Sequence, residues 1–152
     1  MLKRYYPGFE VFKQLATQGN LVPVYRQLFA DTLTPVSAFQ KISDPGNAFL
    51  LESATGGEKI SRYSLLSADP FIEFTASGNR IEIKRRGKER ELVQTHDPLG
   101  ALRAEVNCFT PVQLDGLPPF FCCGVGYIGY DTIRYYESLP HIPHDDLSLP
   151  DI

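Results

Sequence analysis

The chain has 152 residues, of which 43% are hydrophobic and 22% are charged, with a formal net charge of −3 at pH 7. This composition is typical of a single globular domain that can bury a core of its own. The charge gives no electrostatic basis for binding nucleic acid or an anionic membrane, and no apolar run approaches the ~18 residues of a membrane span. Because no apolar stretch follows the basic N-terminal residues, the sequence predicts no signal peptide and a cytoplasmic location.

The first predicted elements are a helix and a strand. Apolar residues recur at helical spacing over residues 9–16 and predict a short amphipathic helix. Residues 21–29 are predicted to form a strand, in which Pro23 favours an edge position or a bulge.

A second helix and a hairpin are predicted next. Thr34 followed by Pro35 predicts a helix start, with the hydroxyl as the N-cap. A turn at residues 44–46 leads into an apolar strand over residues 48–51. A second turn, at Gly56 and Gly57, leads into another strand that begins near Tyr63.

From residue 70 the pattern is that of an antiparallel meander. Strand-like stretches separated by glycine turns cover residues 71–75, 80–84 and 89–93. Ile81 and Ile83 alternate with charged residues, so we expect them to face the core.

The last predicted elements are a helix, a buried strand and a helical turn. The helix is predicted to begin at Asp97 and Pro98 and has an apolar stripe made of Leu99, Leu102 and Val106. Residues 120–130 are predicted to form the buried strand and residues 131–137 the helical turn. Because the strands cluster while the helices are scattered, the predicted class is α+β, with a mostly antiparallel sheet and flanking helices.

Residues 124–129 fit the pattern G-x-G-x-x-G of dinucleotide-binding loops. Such a site also needs a long helix, a second parallel strand and an acidic residue about 20 residues further on. Here Pro140 ends the helical turn, and Asp145 and Asp146 lie in a proline-rich stretch that we interpret as a linker. We therefore interpret the glycines as positions where a strand packs closely against neighbouring backbone.

Three further groups of residues suggest metal binding, nucleic-acid binding or a metal or redox role for cysteines, but the surrounding sequence does not favour these roles. His141, His144 and the two aspartates that follow are potential metal ligands, but Pro143 prevents a regular helix from presenting them together. The basic residues between Arg80 and Arg90 lie on a hairpin, where charges protect an exposed edge, and no aromatic residues interleave with them. The adjacent Cys122 and Cys123 point to opposite faces of a strand, so structural thiols are expected.

Glu52 and Ser53 follow the apolar strand over residues 48–51. They place a carboxylate and a hydroxyl at the rim of a sheet, where a small polar ligand could be bound. The alternative is a core strand that ends in a solvated Glu and a capping Ser, and the residues alone leave both interpretations open.

The Leu-Leu-Glu-Ser sequence of residues 50–53, followed by Arg-Tyr-Ser at residues 62–64, resembles the N-terminal domain of anthranilate synthase component I. Residues 20–26, 34–39 and 126–131 are similar to further segments of that family, in the same order. The resemblance implies the N-terminal part of the layered α/β/β/α fold of chorismate-utilising enzymes. It also implies that the catalytic, chorismate-binding and Mg²⁺-binding residues belong to a C-terminal part that is absent here, so no catalytic residue, metal or other cofactor is expected within residues 1–152.

The resemblance further implies that L-tryptophan binds at residues 50–53 as a feedback inhibitor. Ser53 would hydrogen-bond a charged end of tryptophan, and Glu52 would meet its ammonium group or hold the site together. Leu51 would line the indole side. Lys59 is the nearest cation able to meet the carboxylate.

For the whole protein, the resemblance implies a Mg²⁺-dependent lyase that converts chorismate to anthranilate and pyruvate, with ammonia from a glutamine amidotransferase subunit. Tryptophan would inhibit it allosterically. The fragment alone is expected to be inactive and to self-associate. Two alternatives are aminodeoxychorismate synthase component I of folate synthesis and a non-catalytic ligand-binding module. The strand-like residues 147–152 favour a sequence cut within an element over such a module.

Overall fold

A computed structural model of the protein describes residues 5–43, 46–52, 63–118, 121–141 and 144–152. Helices flank two antiparallel sheets, so the predicted α+β class is confirmed. The elements in chain order are α1 (Phe9–Leu15), α2 (Pro35–Ile42), β1 (Ala48–Glu52), β2 (Ser64–Ala68), β3 (Ile72–Ser77), β4 (Arg80–Arg85), β5 (Glu91–Gln94), α3 (Pro98–Asn107) and a 3-10 helix (Tyr130–Tyr135).

Side-chain caps fix the starts of α2 and α3. The Thr34 hydroxyl accepts a hydrogen bond from the Ser37 N–H at 3.1 Å, and the Ser37 hydroxyl accepts one from the Thr34 N–H at 2.9 Å. Asp97 accepts a hydrogen bond from the Gly100 N–H at 2.8 Å. Because each cap satisfies backbone donors that the first turn leaves unpaired, the predicted starts are confirmed.

β1 and β2 form an antiparallel hairpin against which α2 packs. Leu50 lies opposite Leu66, and Glu52 lies opposite Ser64. Both strands were predicted, and both are confirmed. The turn predicted at Gly56 and Gly57, and residues 44 and 45 of the earlier turn, lie outside the described residues.

β3, β4 and β5 form the predicted antiparallel meander. Gly78 and Gly87 have φ values of 55° and 73°, a region that favours glycine and lets the chain turn tightly. Ile81 and Ile83 are buried as predicted. The core cluster that they form with Ala76 also receives the partly buried side chains of Ile72, Phe74, Val93, Ala101 and Ile152.

The apolar stripe predicted on α3 is wrong at Val106, which is 57% exposed. α3 instead turns Pro98 and Ala101 toward the sheet, and Glu105 forms an ion pair with Arg85 of β4 at 2.6 Å. Residues 98, 101 and 105 share one helical face because their spacing is three and four residues. Val106 follows Glu105 directly and lies outside this face, so it is exposed to solvent.

The strand predicted over residues 21–29 is also wrong. This stretch makes two isolated backbone bridges, between Leu21 and Pro111 and between Tyr25 and Tyr6. The rings of Tyr6 and Tyr25 pack edge to face at 5.4 Å. Pro23 lies between the two bridges and has no N–H to donate, so it interrupts any continuous ladder.

The buried strand predicted at residues 120–130 is not formed within its described part, residues 121–130. Val125, Tyr127 and Ile128 are all exposed. Apart from one hydrogen bond, from the Gly129 N–H to the Asp151 C=O at 2.7 Å, no backbone pairing holds this described stretch to a neighbour. Residues 130–135 do form the predicted helical turn, as the 3-10 helix.

The core is smaller than the chain length predicts. Among the described residues, the buried hydrophobic side chains are those of Ala76, Ile81, Ile83 and Val112. The accessible surface is 12517 Å², whereas a compact monomer of 17.1 kDa exposes about 7,800 Å². The chain therefore leaves much apolar surface uncovered. No helix in the described ranges has the length and hydropathy needed to cross a membrane.

Candidate functional site

The end of the β1–β2 hairpin carries two of the four residues predicted to bind a ligand. Leu51 lies opposite Leu65, and Glu52 lies opposite Ser64. Since successive strand residues point to opposite faces, Leu51 shares a face with Phe49, and Glu52 projects from the other face. Leu51 and Glu52 are both exposed, so a ligand could reach either.

Ser53 and Lys59 lie outside the described residues. Their predicted roles toward the charged ends of tryptophan therefore stay predictions.

Glu52 is a carboxylate without a cationic partner among the described residues. An exposed carboxylate of this kind can accept hydrogen bonds from an ammonium group. Its position at the last residue of β1 places this negative charge at the rim of the hairpin.

A cavity of about 240 Å³ lies against the same hairpin. Its lining residues come from β1, β2 and the segment after residue 120, and they are Phe49, Leu65, Leu66, Ser67, Phe121 and Cys123. This lining is mostly apolar, with two aromatic rings, one hydroxyl and one thiol. Such a lining suits a flat apolar group that carries a single hydrogen-bond donor.

The sequence analysis missed most of these lining residues. Strand alternation could have pointed to Phe49, because it lies two residues before Leu51 on the same predicted strand. The cross-strand partners Leu65 and Ser67 depend on the register of the hairpin, and Phe121 depends on a long-range contact. No sequence pattern signals either of these.

The Cys122 thiol, next in sequence to the cavity residue Cys123, is not activated. Burial, followed by the neighbouring Cys123, raises the pKa of the Cys122 thiol. A raised pKa keeps the thiol protonated near neutral pH, so Cys122 is a poor nucleophile. None of Cys108, Cys122 and Cys123 forms a disulfide, and only Cys122 is partly buried. The partly buried position of Cys122 is consistent with the predicted structural role, whereas Cys108 and Cys123 are exposed.

The glycine-rich residues 124–129 lack the context of a dinucleotide site. Neither an α-helix nor a parallel strand follows them in the described part of the chain. A Cβ on Gly129 would lie 3.2 Å from the Asp151 carbonyl oxygen, whereas Gly124 and Gly126 have no atom within 4 Å of that position. Close backbone packing is therefore confirmed at Gly129 alone.

The basic residues of the β4–β5 region are largely paired with carboxylates. The pairs are Lys84–Glu73 at 3.3 Å, Arg85–Glu91 and Arg85–Glu105 at 2.6 Å, Arg86–Asp69 at 2.7 Å and Arg90–Glu82 at 2.9 Å. These pairs neutralise the local positive charge that phosphate binding would require. This surface is therefore a solvated, paired sheet face.

The chemistry of the donor set does not suit a divalent cation in the described ranges. No group of three or more His, Cys, Asp or Glu side chains converges there. Asp145 instead accepts a hydrogen bond from the Ser148 N–H at 2.8 Å, which closes a local turn.

The chain is similar to curated proteins named anthranilate synthase. It is 38% identical over 148 residues to anthranilate synthase component 1 of Acetivibrio thermocellus, covering 97% of this chain and 30% of the relative. It is 42% identical over 139 residues to the component 1 protein of Synechocystis sp., covering 90% and 27%. It is 40% identical over 157 positions to anthranilate synthase alpha subunit 2, chloroplastic, of Arabidopsis thaliana, covering 95% and 25%.

These matches lie in the N-terminal portions of the relatives. The chain spans between 25% and 30% of the length of these three proteins. No family model matches the chain.

Proposed function

We propose that this chain is the tryptophan-binding regulatory part of an anthranilate synthase. The premise is that the chain is homologous to the N-terminal portion of anthranilate synthase component I. The observation that carries this proposal is the β1–β2 hairpin, which presents Leu51 and Glu52 at its end beside a largely apolar cavity. Residues 1–152 are proposed to be one domain of a longer protein. A cytoplasmic location stays a prediction.

The cavity has the chemistry that an indole ring needs. Phe49, Leu65 and Phe121 offer apolar and aromatic contact, and aromatic rings gain about 0.5–1.5 kcal/mol from such packing beyond the burial of area. Indole N–H is a donor only, and the Ser67 hydroxyl at the cavity can accept its hydrogen bond. We therefore assign the ring of tryptophan to this cavity.

The charged ends of tryptophan are assigned to the rim of the hairpin. Glu52, the last residue of β1, would accept from the ammonium group or hold the site together. Because its side chain projects from the face opposite Phe49, the ammonium group would have to reach it around the end of the hairpin. Ser53 follows it directly in sequence and would hydrogen-bond one charged end. Lys59 would meet the carboxylate.

The longer protein is proposed to convert chorismate and ammonia to anthranilate and pyruvate, with the ammonia supplied by a glutamine amidotransferase subunit. Mg²⁺ and chorismate would be bound by residues of the longer protein outside this chain, as the family resemblance implies. Residues 1–152 alone are proposed to have no lyase activity. Bound tryptophan would favour an inactive arrangement, and chorismate must then weaken tryptophan binding by the same factor.

The isolated chain is proposed to self-associate. Phe29 and Tyr130 are 97% and 87% exposed, and the total accessible surface far exceeds that of a compact monomer. Large uncovered apolar patches promote association. In the longer protein the same surface would be covered by the remaining part of the chain.

The proposal is tested by placing bulk in the cavity of the longer protein. Ser67→Phe fills the space assigned to the indole ring, so it should raise the tryptophan concentration that half-inhibits anthranilate formation, without changing the uninhibited rate. Leu92→Phe is the matched control, because Leu92 lies on β5 in the other sheet and is exposed.

Equal inhibition of the Ser67→Phe variant and the wild type would contradict the assignment of the cavity. Formation of aminodeoxychorismate in place of anthranilate would assign the protein to folate synthesis.

A further inference from the structure

The direction of backbone hydrogen bonding alternates along β3. At the start of this strand the Arg86 N–H donates to the Phe71 C=O at 3.0 Å, across the pair with β4. In an antiparallel ladder every second residue bonds toward the same neighbour. Glu73 and Thr75 therefore also bond toward β4.

The N–H and C=O groups of Ile72, Phe74 and Ala76 consequently point to the opposite edge of β3. At that edge Ala76 is already paired. Its N–H donates to the Ile152 C=O at 3.0 Å, and its C=O accepts from the Asp151 N–H at 2.8 Å and from the Ile152 N–H at 3.3 Å. Hydrogen bonds in both directions between two residues define an antiparallel pair.

This pairing sets the direction of the chain at Ile152. A strand antiparallel to β3 that passes Ala76 runs next toward Phe74 and then toward Ile72. In the described residues, β4 is the one strand paired with β3, and no other backbone group bonds to Phe74 or Ile72. Two consecutive rungs of this edge are therefore open within the part of the chain that the structure describes.

Several hydrogen bonds hold the segment before Ile152 in place. The Tyr127 hydroxyl donates to the Pro150 C=O at 2.9 Å, and the Asp151 C=O accepts from the Gly129 N–H at 2.7 Å. The Asp151 carboxylate accepts from the Gly78 N–H at 2.9 Å and from the Tyr135 hydroxyl. The chain is thus fixed along the edge of β3.

We propose that the open edge of β3 is completed by an antiparallel strand formed by the residues that continue the chain past Ile152 in the longer protein. This inference rests on the proposed function, since the relatives extend well beyond the part that this chain matches. The added strand pairs with Phe74 and Ile72. An open edge promotes pairing with other chains, and the added strand would remove that risk.

Amide hydrogen exchange tests the inference. In the 152-residue chain, Ile72 and Phe74 should exchange fast, whereas Glu73 and Thr75 should be protected because they bond to β4. In the longer protein, Ile72 and Phe74 should exchange at least about tenfold more slowly, which corresponds to about 1.4 kcal/mol of local opening free energy. Glu73 and Thr75 serve as the internal control in both proteins.

Two results would overturn the inference. One is fast exchange of Ile72 and Phe74 in the longer protein while Glu73 and Thr75 stay protected. The other is protection of Ile72 and Phe74 in the longer protein that is lost on dilution, because a second copy, and not the continuing chain, would then occupy the edge. Tryptophan inhibition, measured on the same longer protein, reports separately on the proposed function.

Discussion

Asp151 connects the segment along β3 to the rest of the fold, so Asp151→Ala is expected to lower the free energy of unfolding. Its partly buried carboxylate accepts hydrogen bonds from the Gly78 N–H and the Tyr135 hydroxyl. A hydrogen bond to a charged group contributes about 1.5–3 kcal/mol to the free energy of unfolding. Because the site is partly exposed, water can make up part of the stabilisation that is lost with the two bonds. We therefore expect a total loss of about 1.5–3 kcal/mol, or roughly 3–12 °C in Tm.

Urea unfolding of the 152-residue chain measures this loss. Asp115→Ala is the matched control, because Asp115 is exposed and makes no hydrogen bond or ion pair within the described residues, yet its removal changes the net charge equally. A double-mutant cycle with Tyr135→Phe should give a coupling of about 0.5–3 kcal/mol, as expected for residues in contact. If Asp151→Ala costs no more than Asp115→Ala, the segment is not docked as described.

Burial and the neighbouring Asp151 raise the pKa of Tyr135, so the folded state holds its phenol proton more tightly than the unfolded state. The contribution of this phenol to the free energy of unfolding should therefore be fully present below about pH 10 and decrease as the pH rises above it. In a series of urea unfolding measurements at different pH values, Tyr135→Phe should make this decrease smaller. Ile81→Ala should lower the free energy of unfolding by about 2–5 kcal/mol because Ile81 is fully buried. Leu92→Ala, on the opposite face of the sheet, should change it by no more than about 0.5 kcal/mol. Equal losses would contradict the assigned core. Light scattering of the 152-residue chain should show dimers or larger species, and a strict monomer at high concentration would contradict the proposed self-association.

Local signals predicted the elements that depend on local chemistry. Thr34 and Asp97 start helices because their side chains cap neighbouring N–H groups, and the turn at Gly78 needs a residue that tolerates a positive φ. Alternation placed Ile81 and Ile83 correctly in the core. Each of these features is decided within a few residues of the chain.

The errors arose where a distant partner decides the structure. An apolar run such as residues 121–130 becomes a strand only if a neighbour offers backbone groups to pair with, and no such neighbour lies in the described part of the chain. The face that α3 turns toward the sheet includes Glu105, which pairs with Arg85 of β4, and the periodicity of the apolar residues does not reveal this partner. Likewise, the cavity at the hairpin depends on the register of β1 against β2.

The most direct test of the proposed function is the inhibition of the longer protein carrying Ser53→Ala. Losing a hydrogen bond to a charged end of tryptophan should cost about 1.5–3 kcal/mol, which raises the inhibitory tryptophan concentration roughly tenfold to a hundredfold. The rate of anthranilate formation without tryptophan should barely change, because Ser53 would contact the inhibitor and not the substrate. Ser77→Ala, on β3 of the other sheet, is the control and should leave both quantities unchanged. An unchanged inhibition constant for Ser53→Ala, with lowered stability and activity, would contradict the assignment of this hairpin as the tryptophan site.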